Sequence, residues 1–310
     1  MSFASDVKDE VARQQLPARL ANARLSAVVQ LLAAIDMTRQ GMALTIRTAN
    51  ANVARASVRD LQACYGVEPQ LAAVKKPRFD KTSSYVITVS GQARAILQDL
   101  DLWTESGLQE HPRQRFIDSD ERVRAYLQGC FMATGSLNAP TTANYHLEMT
   151  ATNPALAEFI VRQMARFRLT AKVTVRRGQP VVYLKASEQI ADFLRLIGAS
   201  QAVLAFEDER IQRDFMNNFS RLDNCELANE YKSMQAARKQ VEAVDRLRKL
   251  GLLEAMEDKQ RDIAMLRLQH PEATLLELSE AYEAATGTKL SKSGIRHRLL
   301  KLMEMAARHQ

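Results

Sequence analysis

The first two thirds of this chain repeat themselves at an offset near 102 residues, and that repeat restricts the fold more than any other feature. Leu25–Ala33 (Leu-Ser-Ala-Val-Val-Gln-Leu-Leu-Ala) aligns with Leu127–Gly135 (Leu-Gln-Gly-Cys-Phe-Met-Ala-Thr-Gly) as an apolar helix rich in small residues. Leu44–Asn50 aligns with Leu147–Asn153 as strand and turn, and helices are predicted over Asn52–Ala63 and Ala155–Phe167. Strand pairs follow, Gln70–Lys75 with Tyr85–Val89 and Lys172–Arg176 with Val181–Lys185. Helices over Ser90–Leu97 and Ser187–Leu194 close the copies. Each half reads helix, strand, helix, strand, strand, helix. A duplicated α+β unit normally packs as a pseudo-two-fold pair. Ala27 and Ala33 with Gly129, Ala133 and Gly135 would let the two equivalent helices cross at close range.

The last forty residues carry a different signal. Lys289–Lys301 reads Lys-Leu-Ser-Lys-Ser-Gly-Ile-Arg-His-Arg-Leu-Leu-Lys, with five positive side chains and no acid. Ser291 suits an N-cap, because its hydroxyl can accept an amide of the first turn. Ile295, Leu299, Leu302 and Ala306 form one apolar face. Ser293, His297 and Lys301 fall opposite it, with Arg296 and Arg298 on the flanks. Gly294 removes bulk in the first turn, as close approach to a duplex would require. The preceding segment opens on Thr274 with Glu277 three residues on, a capping box, and buries Leu275, Leu278 and Tyr282. Before it, Lys259–Gln269 carries Ile263 and Leu266 and stops at Pro271. Three short helices around a turn at Gly287, the third one basic, suggest a helix-turn-helix. An ordinary amphipathic helix with a solvated basic face is the alternative. The tri-helical context and the absence of acids favour DNA, and an apolar face without Trp or Phe disfavours a membrane surface.

Charge and composition agree without adding specificity. The net charge is +7 over 310 residues, and it is spread: residues 1–125 hold 17 basic and 14 acidic groups, 126–229 hold 11 and 10, and 230–310 hold 15 and 12. Diffuse positive charge fits a polyanion partner and many other soluble proteins. Cys64, Cys130 and Cys225 are far apart, so neither a zinc site nor a disulfide framework is expected, and a reducing cytoplasm is the simplest setting. The N-terminus has no apolar h-region and no stretch reaches membrane-span length, so a soluble protein is expected. Residues 100–120 are a turn-rich connector in which Trp103 is read as plugging a surface groove. Residues 210–256 read as long helices with Leu227, Met234, Ala237 and Val241 on one stripe, and Lys232, Arg238, Lys239, Arg246, Arg248 and Lys249 outside. That positive cast fits a solvated spacer at least as well as phosphate contact. Gly251 is expected to end it.

These motifs carry a resemblance. The helix Leu127-Gln-Gly-Cys-Phe-Met-Ala-Thr-Gly135 is similar to the LAGLIDADG helix of homing endonucleases. Together with residues 126–138, Tyr-His-Leu-Glu (145–148), Phe-Glu-Asp-Glu-Arg-Ile (206–211), Asn-Cys-Glu-Leu-Ala-Asn (224–229) and the string ending Ser-Gly-Ile-Arg-His-Arg-Leu, the chain resembles the WhiA family of sporulation and cell-division regulators. The first LAGLIDADG copy departs most, with Ala33 where the motif usually has Gly. The resemblance implies an α+β fold: a duplicated LAGLIDADG-like pseudo-two-fold domain, a helical linker, and an all-α helix-turn-helix domain similar to those of sigma-factor promoter readers. The expected divisions are 1–104, 105–205, 206–256 and 257–310. It further implies a transcription factor of Gram-positive bacteria that binds promoters, with a role in cell division and chromosome segregation, and in sporulation among sporulating relatives.

No enzyme, cofactor or metal is expected. A LAGLIDADG nuclease needs a carboxylate at the eighth position of each motif to hold divalent metal beside the scissile phosphates. Here those positions are Leu32 and Thr134, which supply no charged ligand. Asp36 reads as a solvated loop acid. The five histidines form no metal spacing, and His146 reads as a packed or hydrogen-bonding strand residue. Glu207-Asp208-Glu209 reads as a solvated acidic turn or a helix cap, with contact to the basic domain as the weaker alternative. The expected DNA-binding residues are Thr274, Leu275, Lys289, Ser291, Lys292, Ser293, Gly294, Arg296, His297, Arg298 and Lys301. The expected partner is double-stranded promoter DNA, with RNA polymerase or another regulator as a further candidate and no membrane. The competing reading is a low-specificity, nucleoid-associated DNA organiser, and either reading puts the protein in the cytoplasm on the nucleoid.

Overall fold

The computed structural model describes residues 2–38, 41–75, 83–142 and 144–309. Contacts divide the chain into two compact units, residues 1–213 and 214–310. No helix among the described residues is long and apolar enough to cross a membrane.

The first unit opens with α1 (Phe3–Arg13), which Ser2 caps and which buries Val7, Val11 and Ala12. The first copy follows as α2 (Ala18–Leu32), β1 (Ala33–Thr38), β2 (Gly41–Thr48), α3 (Ala51–Tyr65), β3 (Gln70–Lys75), β4 (Ser83–Ser90) and α4 (Ala93–Asp99). A small hairpin, β5 (Trp103–Thr104) with β6 (Gly107–Leu108), leads into the second copy. That copy is α5 (Asp120–Thr134), β7 (Gly135–Leu137), β8 (Leu147–Thr150), α6 (Pro154–Ala165), β9 (Lys172–Arg176), β10 (Gln179–Leu184) and α7 (Ser187–Leu196). Each copy builds one antiparallel four-stranded sheet, in the orders β1-β2-β4-β3 and β7-β8-β10-β9. The duplicated α+β reading is therefore the fold, with one strand more per copy than the pattern gives. β1 and β7 start on the residue after the helix, at Ala33 with no turn former and at Gly135 with no intervening turn.

Small residues set the crossing of α2 and α5. A Cβ on Gly129 would stand 2.3 Å from the Arg24 carbonyl oxygen and 2.9 Å from Ala27 Cβ, so only glycine permits this approach. Gly135 packs instead on its own Phe131. A buried charge sits at the same crossing. The fully buried Arg24 guanidinium donates to both Asp60 oxygens at 2.7 and 2.8 Å, and to Gln14 O and Gln128 Oε1 at 3.1 Å. A buried ion pair is tolerated when its hydrogen bonds are met in this way.

Several expectations change here. Asp36 lies on β1, not in a loop, and accepts the Thr45 hydroxyl at 3.0 Å while remaining exposed. Trp103 is half-buried against the first copy's core. His146 precedes β8 and reaches Glu148 Oε2 at 2.9 Å, in keeping with a hydrogen-bonding role though not with a place on the strand. Residues 200–249 form one helix, α8, of 50 residues. Glu207 is accordingly not in a turn but inside α8, and it pairs with Arg195 at 2.7 Å and Arg210 at 3.2 Å. Of the expected α8 stripe only Ala237 is buried; Leu227 and Met234 are 57% and 58% exposed. Helix α8 supplies Phe206 to the first unit's core and Val244 and Leu247 to the second's. The chain then turns at Gly251 (φ 69°) into α9 (Asp258–Gln269), α10 (Leu275–Thr286) and α11 (Lys292–Arg308).

Candidate nucleic-acid interface

The C-terminal unit is organised by its caps. Thr274 Oγ1 accepts the Glu277 amide at 3.2 Å, and Glu277 Oε2 accepts the Thr274 amide at 2.7 Å, so the capping box forms as its sequence demands. The Thr274 amide, and then its hydroxyl, hold the Glu277 carboxyl below the usual range. Helix α10 ends where Gly287 takes the left-handed conformation, φ 67°, and donates its amide to Glu283 O at 2.8 Å. The Ser279 hydroxyl donates to Leu290 O and fixes the turn. Ser291 then caps α11, its Oγ accepting the Gly294 amide at 3.2 Å.

Ile295, Leu299, Leu302 and Ala306 are buried, as their spacing requires. They pack with Ile263, Ala264, Leu266, Leu278 and Tyr282, and with Val244 and Leu247 of α8. Each large aliphatic side chain in this core stabilises it by about 1.5–3 kcal/mol. Arg267, which sequence reasoning passed over, is 1% exposed, and its Nη1 donates to the carbonyls of Ala273 at 2.7 Å and His270 at 3.2 Å. It braces the α9–α10 turn, and burial lowers its pKa. The only sequence signal for that role is an arginine on the apolar side of α9, between Leu266 and Leu268.

Burying one face of α11 fixes what the other presents. Lys289, Ser291, Lys292, Ser293, Arg296, His297 and Lys301 are exposed, and Gly294 and Arg298 are half-buried. No ion pair among the described residues involves Lys289, Lys292, Arg296, Arg298 or Lys301. Their charge is therefore available to an outside anion. Two hydroxyls are partly committed: Ser291 Oγ and Ser293 Oγ lie 3.0 Å apart. Thr274 and Leu275 belong not to α11 but to α10, as its N-cap and first residue. The Thr274 hydroxyl serves the cap, and Leu275 packs half-buried on the core. The room at Gly294 is filled from the protein's side, since a Cβ there would meet Leu290 Cδ1 at 2.9 Å. That contact is with the far end of a flexible side chain, so it does not by itself require glycine.

At the end of the helix crossing in the first unit, Leu32 is half-buried and Thr134 Oγ1 donates to Thr150 O at 2.8 Å. No group of three or more His, Cys, Asp or Glu residues that could hold a metal ion occurs among the described residues.

Comparison with known proteins connects both units to one family. The family models described as the WhiA N-terminal LAGLIDADG-like domain, the WhiA LAGLIDADG-like domain and the WhiA C-terminal HTH domain match residues 18–103, 123–216 and 219–306. The "Probable cell division protein WhiA" of Latilactobacillus sakei is 40% identical over 311 residues, covering 100% of this chain and 98% of that protein. The protein of the same description from Staphylococcus saprophyticus is 40% identical over 306 residues, covering 99% and 96%. The crystal structure of full-length DUF199/WhiA from Thermatoga maritima superposes with a TM-score of 0.58 at 17% identity, covering 99% of both chains, a likeness of fold.

Proposed function

Since the chain belongs to the WhiA family, we propose that it is a promoter-binding transcription regulator acting in cell division and chromosome segregation, with sporulation added in sporulating relatives. The observation that carries this reading is the solvent face of α11 with the residues leading into it, where Lys289, Lys292, Arg296, Arg298 and Lys301 have no acidic partner among the described residues and stand over a buried helical core. Ser293, His297 and Lys301 would face the major groove. Lys292, Arg296 and Arg298 would reach base edges or phosphates on the flanks, and Lys289, Ser291 and Gly294 would lie against the backbone. Thr274 and Leu275 would meet the duplex from the start of α10. Phosphate contacts position such a helix and base contacts give it preference.

The LAGLIDADG-like unit would not cut. Leu32 and Thr134 stand where paired carboxylates would have to hold divalent metal, and neither provides a negative oxygen. That unit would add nonspecific affinity or bind a partner, for which RNA polymerase or another regulator is the natural choice. The chain would work on the nucleoid.

Replacing Arg296 and Arg298 together by alanine tests the assignment. Neither side chain belongs to the buried core, so the variant should fold and lose promoter binding in a gel-shift titration. Unchanged affinity would refute it. The exposed cations along α8, Lys232, Arg238, Lys239, Arg246, Arg248 and Lys249, favour the second reading, a DNA organiser of low specificity. Sharp promoter peaks in a genome-wide occupancy map support the first reading, and broad coverage supports the second.

A further inference from the structure

Lys8 lies on α1, half-buried, and among the described residues no hydrogen-bond or ion-pair partner meets its ammonium group. Burial pulls that group down to about 8, the behaviour of a lysine with no carboxylate to offset its desolvation. It lines a cleft of about 720 Å³ together with Arg47, Asn52, Tyr85 and Ser136. Arg47 is exposed near the end of β2 and is likewise without an ion pair. Asp9 is the one acid among the described lining residues, and its carboxylate already accepts Asn50 Nδ2 at 2.7 Å. Helices α1 and α3 both begin on this wall, at Ser2 and Asn50, and their positive ends add to the two side chains. Leu32, Ala133 and Gly135 close the cleft at the ends of α2 and α5. The charge there is the reverse of what a metal-dependent nuclease would need: it repels a divalent cation and attracts an anion.

We propose that this cleft binds a small phosphate-bearing ligand, with Lys8 and Arg47 as its charge partners and Tyr85 along its side. A lysine supplies a point charge and an arginine a planar fork, the pair of donors that a phosphate group takes most readily. Lys8 is withdrawn from the surface, so the phosphate must enter the cleft. A compact ligand does that, whereas a duplex resting on the rim meets exposed side chains first. This inference is independent of the role given to α11.

The test uses the full chain with inorganic pyrophosphate as the probe. Calorimetry should show binding at about 0.1 mM or tighter, weakened about tenfold or more by Lys8→Gln and by Arg47→Gln. In the unaltered chain, pyrophosphate should slow acetylation of Lys8 by acetic anhydride, read by mass spectrometry, while the exposed Lys259 reacts at its former rate. This second readout needs no variant to fold. Absence of both heat and protection overturns the proposal. So does binding that survives both substitutions, or protection of Lys8 by a DNA duplex but not by pyrophosphate.

Discussion

Removing Arg296 and Arg298 should change the salt dependence of DNA binding as well as its strength. Lys289, Lys292, Arg296, Arg298 and Lys301 carry five charges that form no ion pair among the described residues. If each displaces a counterion from a phosphate, log K falls against log salt with a slope of about −4.5. Raising salt from about 50 to about 200 mM should then cost about 500-fold in affinity. Any residual duplex binding without the two arginines should follow a slope of about −2.7, so that the same salt step costs it about 40-fold. Fluorescence anisotropy of a labelled promoter duplex, titrated at four or five salt concentrations, measures both slopes. If one arginine reads a base, affinity should fall further on the promoter than on a scrambled duplex, with the slope unaffected by that excess. A variant slope equal to the parent's would show that neither guanidinium meets a phosphate, and the charge count on α11 would then have no bearing on binding.

Four other outcomes follow from the same structure. Arg24→Met leaves the buried Asp60 carboxylate with only Arg59 at 3.9 Å and should cost the first unit about 3–5 kcal/mol, read by denaturant unfolding; a loss below about 1 kcal/mol would mean that Arg59 or water takes over the carboxylate. Gly129→Ala should destabilise by about 1–3 kcal/mol, because its Cβ meets backbone at 2.3 Å. Gly294→Ala should be close to neutral, because a helix gains about 1 kcal/mol from the exchange and only the end of Leu290 must move. It should also leave DNA affinity intact, and a marked loss of affinity would show that the duplex does come within a methyl group of that position. Supercoiled plasmid incubated with the full chain and magnesium or manganese should stay uncut; nicking that disappears when Thr134 or Leu32 is changed would revive the nuclease reading.

What could be read from the chain depended on whether one period governed a segment. Helix α11 was legible to the residue because its apolar positions keep to 3.6 and Ser291 marks the start. The repeat was legible because its parts recur in order, although no part is distinctive alone. Strand β1 escaped because the chain passes from helix to strand at Ala33-Ala34, which suits either state, and β7 because it is only three residues long and opens on Gly135, the last residue of the helix motif. Helix α1 escaped because its buried face rests on Val7, Val11 and Ala12 among six polar residues. The extent of α8 could not be inferred, since nothing between Ser200 and Lys249 breaks a helix and nothing there requires one fifty-residue rod. For the candidate interface, the exposed cations could be named in advance because burying one face of α11 determines the other. The packing of the Leu290 side chain against Gly294 could not, because it depends on the path the chain takes between Gly287 and Ser291.

Tethered cleavage at His297 tests most directly whether α11 enters the duplex. The exposed Cys225 and the half-buried Cys64 are first replaced by serine, and the buried Cys130 is left in place. His297→Cys then carries an iron chelate that cuts DNA within reach of the side chain. Strand scission confined to a few adjacent base pairs of a promoter, with the offset between strands that a major-groove source gives, is the predicted result. Cleavage spread evenly along the duplex, or none at all while the full chain remains bound, would contradict it.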